Sequence, residues 1–334
     1  MKKVTIKDIA AILNTSPHTV SKALNNKPGV SEELRQKIKQ MAQELHYVPN
    51  IFGRGLSGKT LKTIGIIIAN DTNPAYSVII SGLEKKAAQS GYNIILCYSN
   101  EDIHVEEDLI RVLLEKRVDG MIISPVDHPK PNHNIEILQQ FGVPYVLLAR
   151  AIENQEHPCV KSSNSLGAYL AGQYLIQKGH VNVIYVTRKY SITAVEERIE
   201  GLHHVFQDQH LPFPEKNIYR QCTVSIESGY TEMLNILKER RDFTAVFAFN
   251  DIIAFGIMKA VHECRLRIPG DIAIMGFDNL IFSEICLVPL TTVNQNLFAL
   301  GAISMEALLN KVEEKENASY TEMPEPYIVE RQSV

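Results

Sequence analysis

From Thr63 onward the chain alternates short β-branched apolar runs with segments of helical period, and this alternation constrains the fold more than any other feature. The runs TIGIIIAN, YNIILCYSN, DGMIISPV and PYVLLAR are separated by helical patterns near 76–90, 104–117 and 133–141. A second set, NVIYVTR, NIYRQCTV, AVFAFND and DIAIMGFDN, alternates with helical patterns near 165–178, 193–209, 226–240 and 252–265. Apolar strands joined by helices form parallel sheets, because a parallel crossover is long and leaves its helix lying on the sheet. Two such units in series predict two α/β lobes with a cleft where the carboxyl ends of the strands meet.

Residues 1–62 are different in kind. They hold 11 Lys and Arg against 4 Asp and Glu, a net +7, while the rest of the chain holds 23 against 34, a net −11. A small basic head on an acidic body points to a nucleic-acid-binding module. Thr5 opens the first helical segment with a T-x-x-D capping pattern (Thr5, Asp8), and Ile6, Ile9, Ala10 and Leu13 share one face. Ser16-Pro17 starts a second helix in the preferred way, since Ser caps it and Pro takes the first position, where no N–H is needed. Val20, Ala23 and Leu24 face inward, and Ser31 caps a third helix with a stripe of Leu34, Ile38, Met41 and Leu45. Two short helices across a tight turn, the second capped and basic, read as helix-turn-helix.

The stretch VTIKDIAAILNTSPHTVSKALNNKPGVSEELRQKIKQMAQELHYVPN resembles the DNA-binding head of the lactose/galactose repressor (LacI/GalR) family of transcriptional regulators, through T-x-x-D-I-A, T-V-S-[RK]-x-L-N and H-Y-x-P-N. The resemblance extends to the C-terminus. It implies a small all-α helix-turn-helix head (1–49), a hinge (50–62) and a two-lobed, periplasmic-binding-protein-like α/β body of doubly wound parallel sheets (63–334). The implied lobes are 63–160 with 293–322, and 161–290 with 323–334. It further implies a cytoplasmic homodimer on pseudo-palindromic double-stranded operator DNA, repressing carbohydrate-utilisation genes under control of a sugar or sugar phosphate. Pro17, His18 and Lys22 are then the base-reading candidates, and Thr5, Thr19, Ser21 and Asn25 the phosphate-binding ones. Lys22 stands where the family more often has Arg, which weakens bidentate reading of guanine. Leu56 matches the hinge side chain that wedges into the minor groove.

The hinge contains GRGLSGKT (Gly53 to Thr60), which satisfies the phosphate-loop spacing G-x-x-x-x-G-K-[ST]. A phosphate loop works when a strand feeds a glycine-rich turn into a helix whose N-terminus meets the phosphates. Here a helix precedes and a β-branched run follows, so the match is read as coincidence, and a nucleotide-binding enzyme becomes the alternative. A stand-alone sugar-binding protein shares the body but has no use for the head.

Polar residues end the predicted strands of the body, where a ligand would lie. Asn70 to Asn73 follow the first run with Tyr76 beyond, Arg150 ends the fourth, Asn250-Asp251 follow AVFAF, and Asp278-Asn279 follow IMGF. Such groups suit a polyol, whose hydroxyls both donate and accept. The resemblance adds Arg198 (from EERIEGLHHVF) and Gln295 (from TTVNQ), giving Asn73, Tyr76, Arg150, Arg198, Asn250, Asp251, Asp278 and Gln295 as effector-binding candidates. Two departures stand out: Ala149-Arg150 replaces the common Asp-Arg, and Ser163-Asn164 the usual Asp-Asn. Val224 occupies the place of a stacking aromatic in the purine-responsive member, so a purine effector is not expected.

Catalysis has no motif behind it beyond the phosphate-loop match. There is no G-x-S-x-G or H-E-x-x-H, and the five cysteines are scattered without C-x-x-C spacing. No cofactor, metal or membrane partner is expected, and a reducing, cytoplasmic setting is.

Overall fold

The computed structural model describes residues 4–47, 60–69, 73–126, 132–152, 157–189, 193–314 and 322–334. The chain separates into two units, Met1–Leu61 and Lys62–Val334. The described part of the first consists of α1 (Ile6–Ile12), α2 (Pro17–Leu24) and α3 (Glu32–Glu44). Each begins where the capping chemistry places it. Thr5 and Asp8 form a reciprocal capping box, Ser16 caps α2 ahead of Pro17, and Ser31 caps α3 with Glu32 and Glu33 in its first turn. Asn14 turns the chain between α1 and α2 at φ +47, a left-handed conformation that Asn tolerates. Ile9, Ala10, Val20, Ala23, Ile38 and Ala42 form the small core. Arg35 fastens the end of α2 by donating to the carbonyls of Ala23 (3.2 Å) and Lys27 (2.9 Å).

Leu56 and most of the hinge lie outside the described residues, as do Asn70, Asp71 and Thr72. Among the described elements, α3 is the last before GRGLSGKT and strand β1 the first after it, the reverse of the order a phosphate loop needs.

The second unit holds two sheets. In the first, β1 (Thr63–Ile68), β2 (Asn93–Tyr98), β3 (Gly120–Ile123), β4 (Tyr145–Leu148) and β5 (Cys159–Val160) run in the order β2-β1-β3-β4-β5, all parallel. Helices α4 (Pro74–Gln89), α5 (Ile103–Glu115) and α6 (Asn134–Gln140) connect them. In the second, β6 (Val183–Arg188), β7 (Ile218–Cys222), β8 (Ala245–Ala248), β9 (Ala273–Phe277), β10 (Thr291–Asn294) and β11 (Tyr327–Val329) run in the order β11-β10-β9-β8-β6-β7. Its helices are α7 (Asn164–Gln177), α8 (Thr193–Asp208), α9 (Ile226–Glu239), α10 (Asp251–Glu263) and the short α11 (Phe282–Ile285).

Parallel pairing throughout, as the alternation predicts, fails at one edge, where β11 lies antiparallel to β10. The chain crosses between the sheets after β5, after β10 and after α12 (Leu297–Val312). α12 returns to the first sheet and packs on α4 so closely that a Cβ on Gly82 would lie 2.1 Å from the Phe298 carbonyl oxygen. The return thus comes just after Asn294, with β10 still in the second sheet.

Candidate functional site

The outer face of α2 is one candidate surface. At about 100° per residue, Pro17, His18, Ser21, Lys22 and Asn25 fall within an arc of about 140°, opposite the buried Val20 and Ala23. Pro17, His18 and Asn25 are exposed. Thr19 lies off this arc, its backbone N–H capped by Ser16 Oγ at 3.1 Å. The Thr5 hydroxyl donates to Asp8 at 2.6 Å within the capping box, so a phosphate would have to share it. Asn25 donates its amide to the Ser21 carbonyl at 2.8 Å.

The second site is a cleft of about 750 Å3, open mouth included, at the carboxyl ends of the body's strands. Asn73, Tyr76, Arg150, Arg198, Asp278 and Gln295 all line it, drawn from both lobes. Asn73 caps α4 by accepting from the Ala75 N–H at 3.1 Å. The Tyr76 hydroxyl meets Ser124 Oγ at 3.0 Å, which fixes the ring against the wall. Sequence reasoning missed Glu101, Ser162 and Arg188 in the same wall. Arg150 forks onto Glu101 with bonds of 2.9 and 2.8 Å, and Arg188 comes from the other lobe to 3.8 Å of the same carboxylate. Ser162 Oγ is buried there without a protein hydrogen-bond partner, so the wall offers an unsatisfied hydroxyl.

Arg198 sits at the base of the cleft, almost wholly buried. Its Nε donates to Asn164 Oδ1 at 3.0 Å, its Nη1 donates to the Phe249 carbonyl, and its guanidinium stacks 3.6 Å from the centre of the Phe277 ring. Burial lowers its pKa from the ordinary arginine value, opposed by Tyr185 and Asp278. Asp278 adopts φ +113 and accepts from Gln295 Nε2 at 2.5 Å. Burial pushes its carboxyl from 3.8 to about 7, with Arg198 opposing the rise and Asp251 adding to it.

That shift has a definite sign. An acid whose folded pKa is raised binds more protons folded than unfolded, so stability declines as pH climbs from about 4 to about 7. Asp251, pushed to about 6 chiefly by burial, acts in the same direction. Asp278→Asn is therefore expected to flatten part of that decline. Urea unfolding of both proteins at pH 4.5, 6 and 7.5 checks it, and parallel pH profiles would refute it.

Neither Asn250 nor Asp251 is among the residues that line the cleft in this structure. Asp251 is fully buried and accepts from the Leu280 N–H (2.8 Å), Ser283 Oγ (2.7 Å) and Thr292 Oγ1 (2.6 Å). Its carboxylate presses on β9 where Gly276 leaves room, 2.1 Å from where a Cβ would stand. It therefore anchors the 279–292 segment. Asn250 caps α10 through the Ile253 N–H at 3.0 Å, and its buried side-chain amide nitrogen has no protein hydrogen-bond partner.

Among the described residues no helix is long and apolar enough to cross a membrane. Residues 5–50 match the family model "Bacterial regulatory proteins, lacI family", and residues 61–331 match "Periplasmic binding proteins and sugar binding domain of LacI family". The chain is 32% identical to an HTH-type transcriptional repressor PurR of Vibrio atlanticus, over 99% of this chain and 98% of the relative. It is 32% identical to a ribose operon repressor of Halalkalibacterium halodurans, over 97% and 96%. A crystal structure of the Lac repressor dimer bound to operator and the anti-inducer ONPF superposes with a TM-score of 0.88 at 26% identity, covering 99% of both chains.

Proposed function

The chain belongs to the LacI family of bacterial regulatory proteins, and on that premise we propose that it is a cytoplasmic, dimeric repressor whose operator affinity is set by a sugar in the cleft. It acts by binding and not by catalysis. The observation that carries this reading is the cleft, where Asn73 and Tyr76 face Arg198 and Asp278 across the two lobes of one chain. A ligand that touches both lobes favours the closed arrangement over the open one, and without such differential affinity no ligand shifts an equilibrium. Val224 lines the wall where the purine-responsive member of the family has a stacking aromatic, which favours a sugar over a purine.

In this reading His18 and Lys22 contact base edges from the exposed arc of α2, with Pro17 offering apolar contact. Ser21, Asn25, Thr19 and Thr5 serve phosphates. Leu56 is the hinge's minor-groove wedge. Lys22→Ala is expected to relax base preference at one position of each half-site, and selection of bound sequences with both proteins reads this. A uniform loss on all DNA would make Lys22 a phosphate contact instead.

The dimer is proposed to form through the apolar surface around α9, α10 and α11. Ile281, Phe282, Ile285 and Leu287 project there, Leu287 with 84% of its surface exposed. A cluster of that kind marks an interaction site. Two heads related by a dyad then require a pseudo-palindromic site.

The deciding experiment is a calorimetric titration of sugars with and without operator DNA. A coupling of about 1–3 kcal/mol changes affinity roughly 5–150-fold, and the change is reciprocal. Weaker sugar binding with DNA present is expected, as for an inducer. Equal affinity in both titrations would end the allosteric reading.

A further inference from the structure

Three consecutive residues just past the end of β3 hold three different partners. Ser124 Oγ meets the Tyr76 hydroxyl at 3.0 Å, the Pro125 carbonyl accepts from Arg150 Nη1 at 3.3 Å, and the Val126 N–H donates to Glu106 Oε2 at 2.7 Å. Tyr76 and Arg150 line the cleft, whereas Glu106 does not. It lies behind the wall on α5, fully buried.

Glu106 gathers the whole segment that follows β3. Its Oε1 accepts from the side-chain amides of Asn132 at 2.7 Å and Asn134 at 3.0 Å. The Asn134 amide also donates to the Ile103 carbonyl at the start of α5 (2.8 Å), and the Asn132 amide to the Val126 carbonyl (3.1 Å). The carboxylate is thus an acceptor in all three of its bonds, which is how a buried charge is made tolerable. Burial raises its pKa, opposed by these donors and by the charge of Arg150. Just ahead of α5, Glu101 holds both terminal nitrogens of Arg150. Arg150 therefore sits between Glu101 and the Pro125 carbonyl, and Glu106 fixes the backbone beside Pro125.

We propose that Glu106 is a positioning residue of the cleft: by holding residue 126 it sets Ser124 and Pro125, and through them the Tyr76 ring and the Arg150 guanidinium that meet the sugar. The inference rests on the sugar-effector reading and adds to it a residue that touches no ligand.

Glu106→Gln tests this with almost no change of shape. A glutamine oxygen can accept from Asn132 and Asn134, but its NH2 then faces the Val126 N–H, donor against donor. Turned over, it accepts from Val126 and opposes both asparagines, so either way the ring opens. Thermal shift of the full-length protein against ribose, glucose, galactose and cellobiose selects a binder, and calorimetry measures it. Glu106→Gln is expected to weaken that sugar about tenfold or more, and Asn134→Ala, which removes one donor, about threefold. Ile110→Ala opens a cavity one turn further along α5, in the core, and is expected to lower the melting temperature without moving the affinity.

A cycle with Tyr76→Phe separates positioning from general softening. That substitution removes the bond to Ser124, so its cost in the parent is expected to be largely gone in the Glu106→Gln background. If melting shows Glu106→Gln to be unfolded, the same cycle on Asn134→Ala decides. Parental affinity in the folded variant, an equal cost of Tyr76→Phe in both backgrounds, or an equal loss from Ile110→Ala would overturn the inference and leave the sugar reading standing. Binding of none of the four sugars by the parent would overturn both.

Discussion

Replacing Arg198 by alanine is expected to weaken effector binding about a hundredfold or more while leaving operator binding intact. The guanidinium lies at the base of the cleft, held by Asn164, the Phe249 carbonyl and the face of Phe277, so its remaining donors are fixed before a ligand arrives. A hydrogen bond from a charged group contributes about 1.5–3 kcal/mol, and two of them to one sugar correspond to two or more factors of ten. Truncation also strands the Asn164 side chain and the Phe249 carbonyl without their donor, so some loss of stability accompanies the effect. Calorimetry with the best sugar ligand, beside a gel-shift titration of the operator, separates the two losses. Operator binding that persists but no longer responds to the sugar is the expected pattern. An affinity within a factor of three of the parent would remove Arg198 from the site.

Much of this molecule follows from local rules. Thr5, Ser16-Pro17 and Ser31 mark helix starts because each supplies an acceptor, or removes a donor, where the backbone needs it. The eight apolar runs from Thr63 to Asn279 each contain a strand of the body, since burial on both faces demands continuous apolar sequence. The three strands outside those runs are short, two residues in β5, four in β10 and three in β11, and so few residues display no period.

In the cleft, strand-end position found Asn73, Arg150 and Asp278, whereas Arg198 and Gln295 entered only through family resemblance. The same positional rule reaches Glu101, three residues past β2 at φ +59, and Arg188, which reads as strand because it closes an apolar run. Asp251 shows the limit of that rule. It follows its strand as Asp278 does, yet its carboxylate points beneath β9 into the room left by Gly276. A contact between residues that far apart in sequence has no local signature.

The other large effect concerns assembly. The double substitution Ile285→Glu and Leu287→Glu is expected to convert the dimer to monomer and to lower operator affinity by about 10²–10⁴. Ile285 is 72% exposed and Leu287 84%, so both side chains already tolerate water, and the monomer fold does not depend on burying them. Placing two carboxylates against their symmetry mates would instead desolvate four like charges in one interface, which no apolar contact offsets. A single head contacts half an operator, and the second head binds at the high effective concentration set by the shared body. Losing that linkage removes the same two to four powers of ten without touching any DNA contact. Light scattering coupled to size exclusion reads the mass, circular dichroism the fold, and gel shift on full and half operators the affinity. A folded monomer that binds full and half sites equally weakly is the expected result. A variant that remains dimeric would move the interface elsewhere, and a monomer retaining full operator affinity would show that the two heads do not act together.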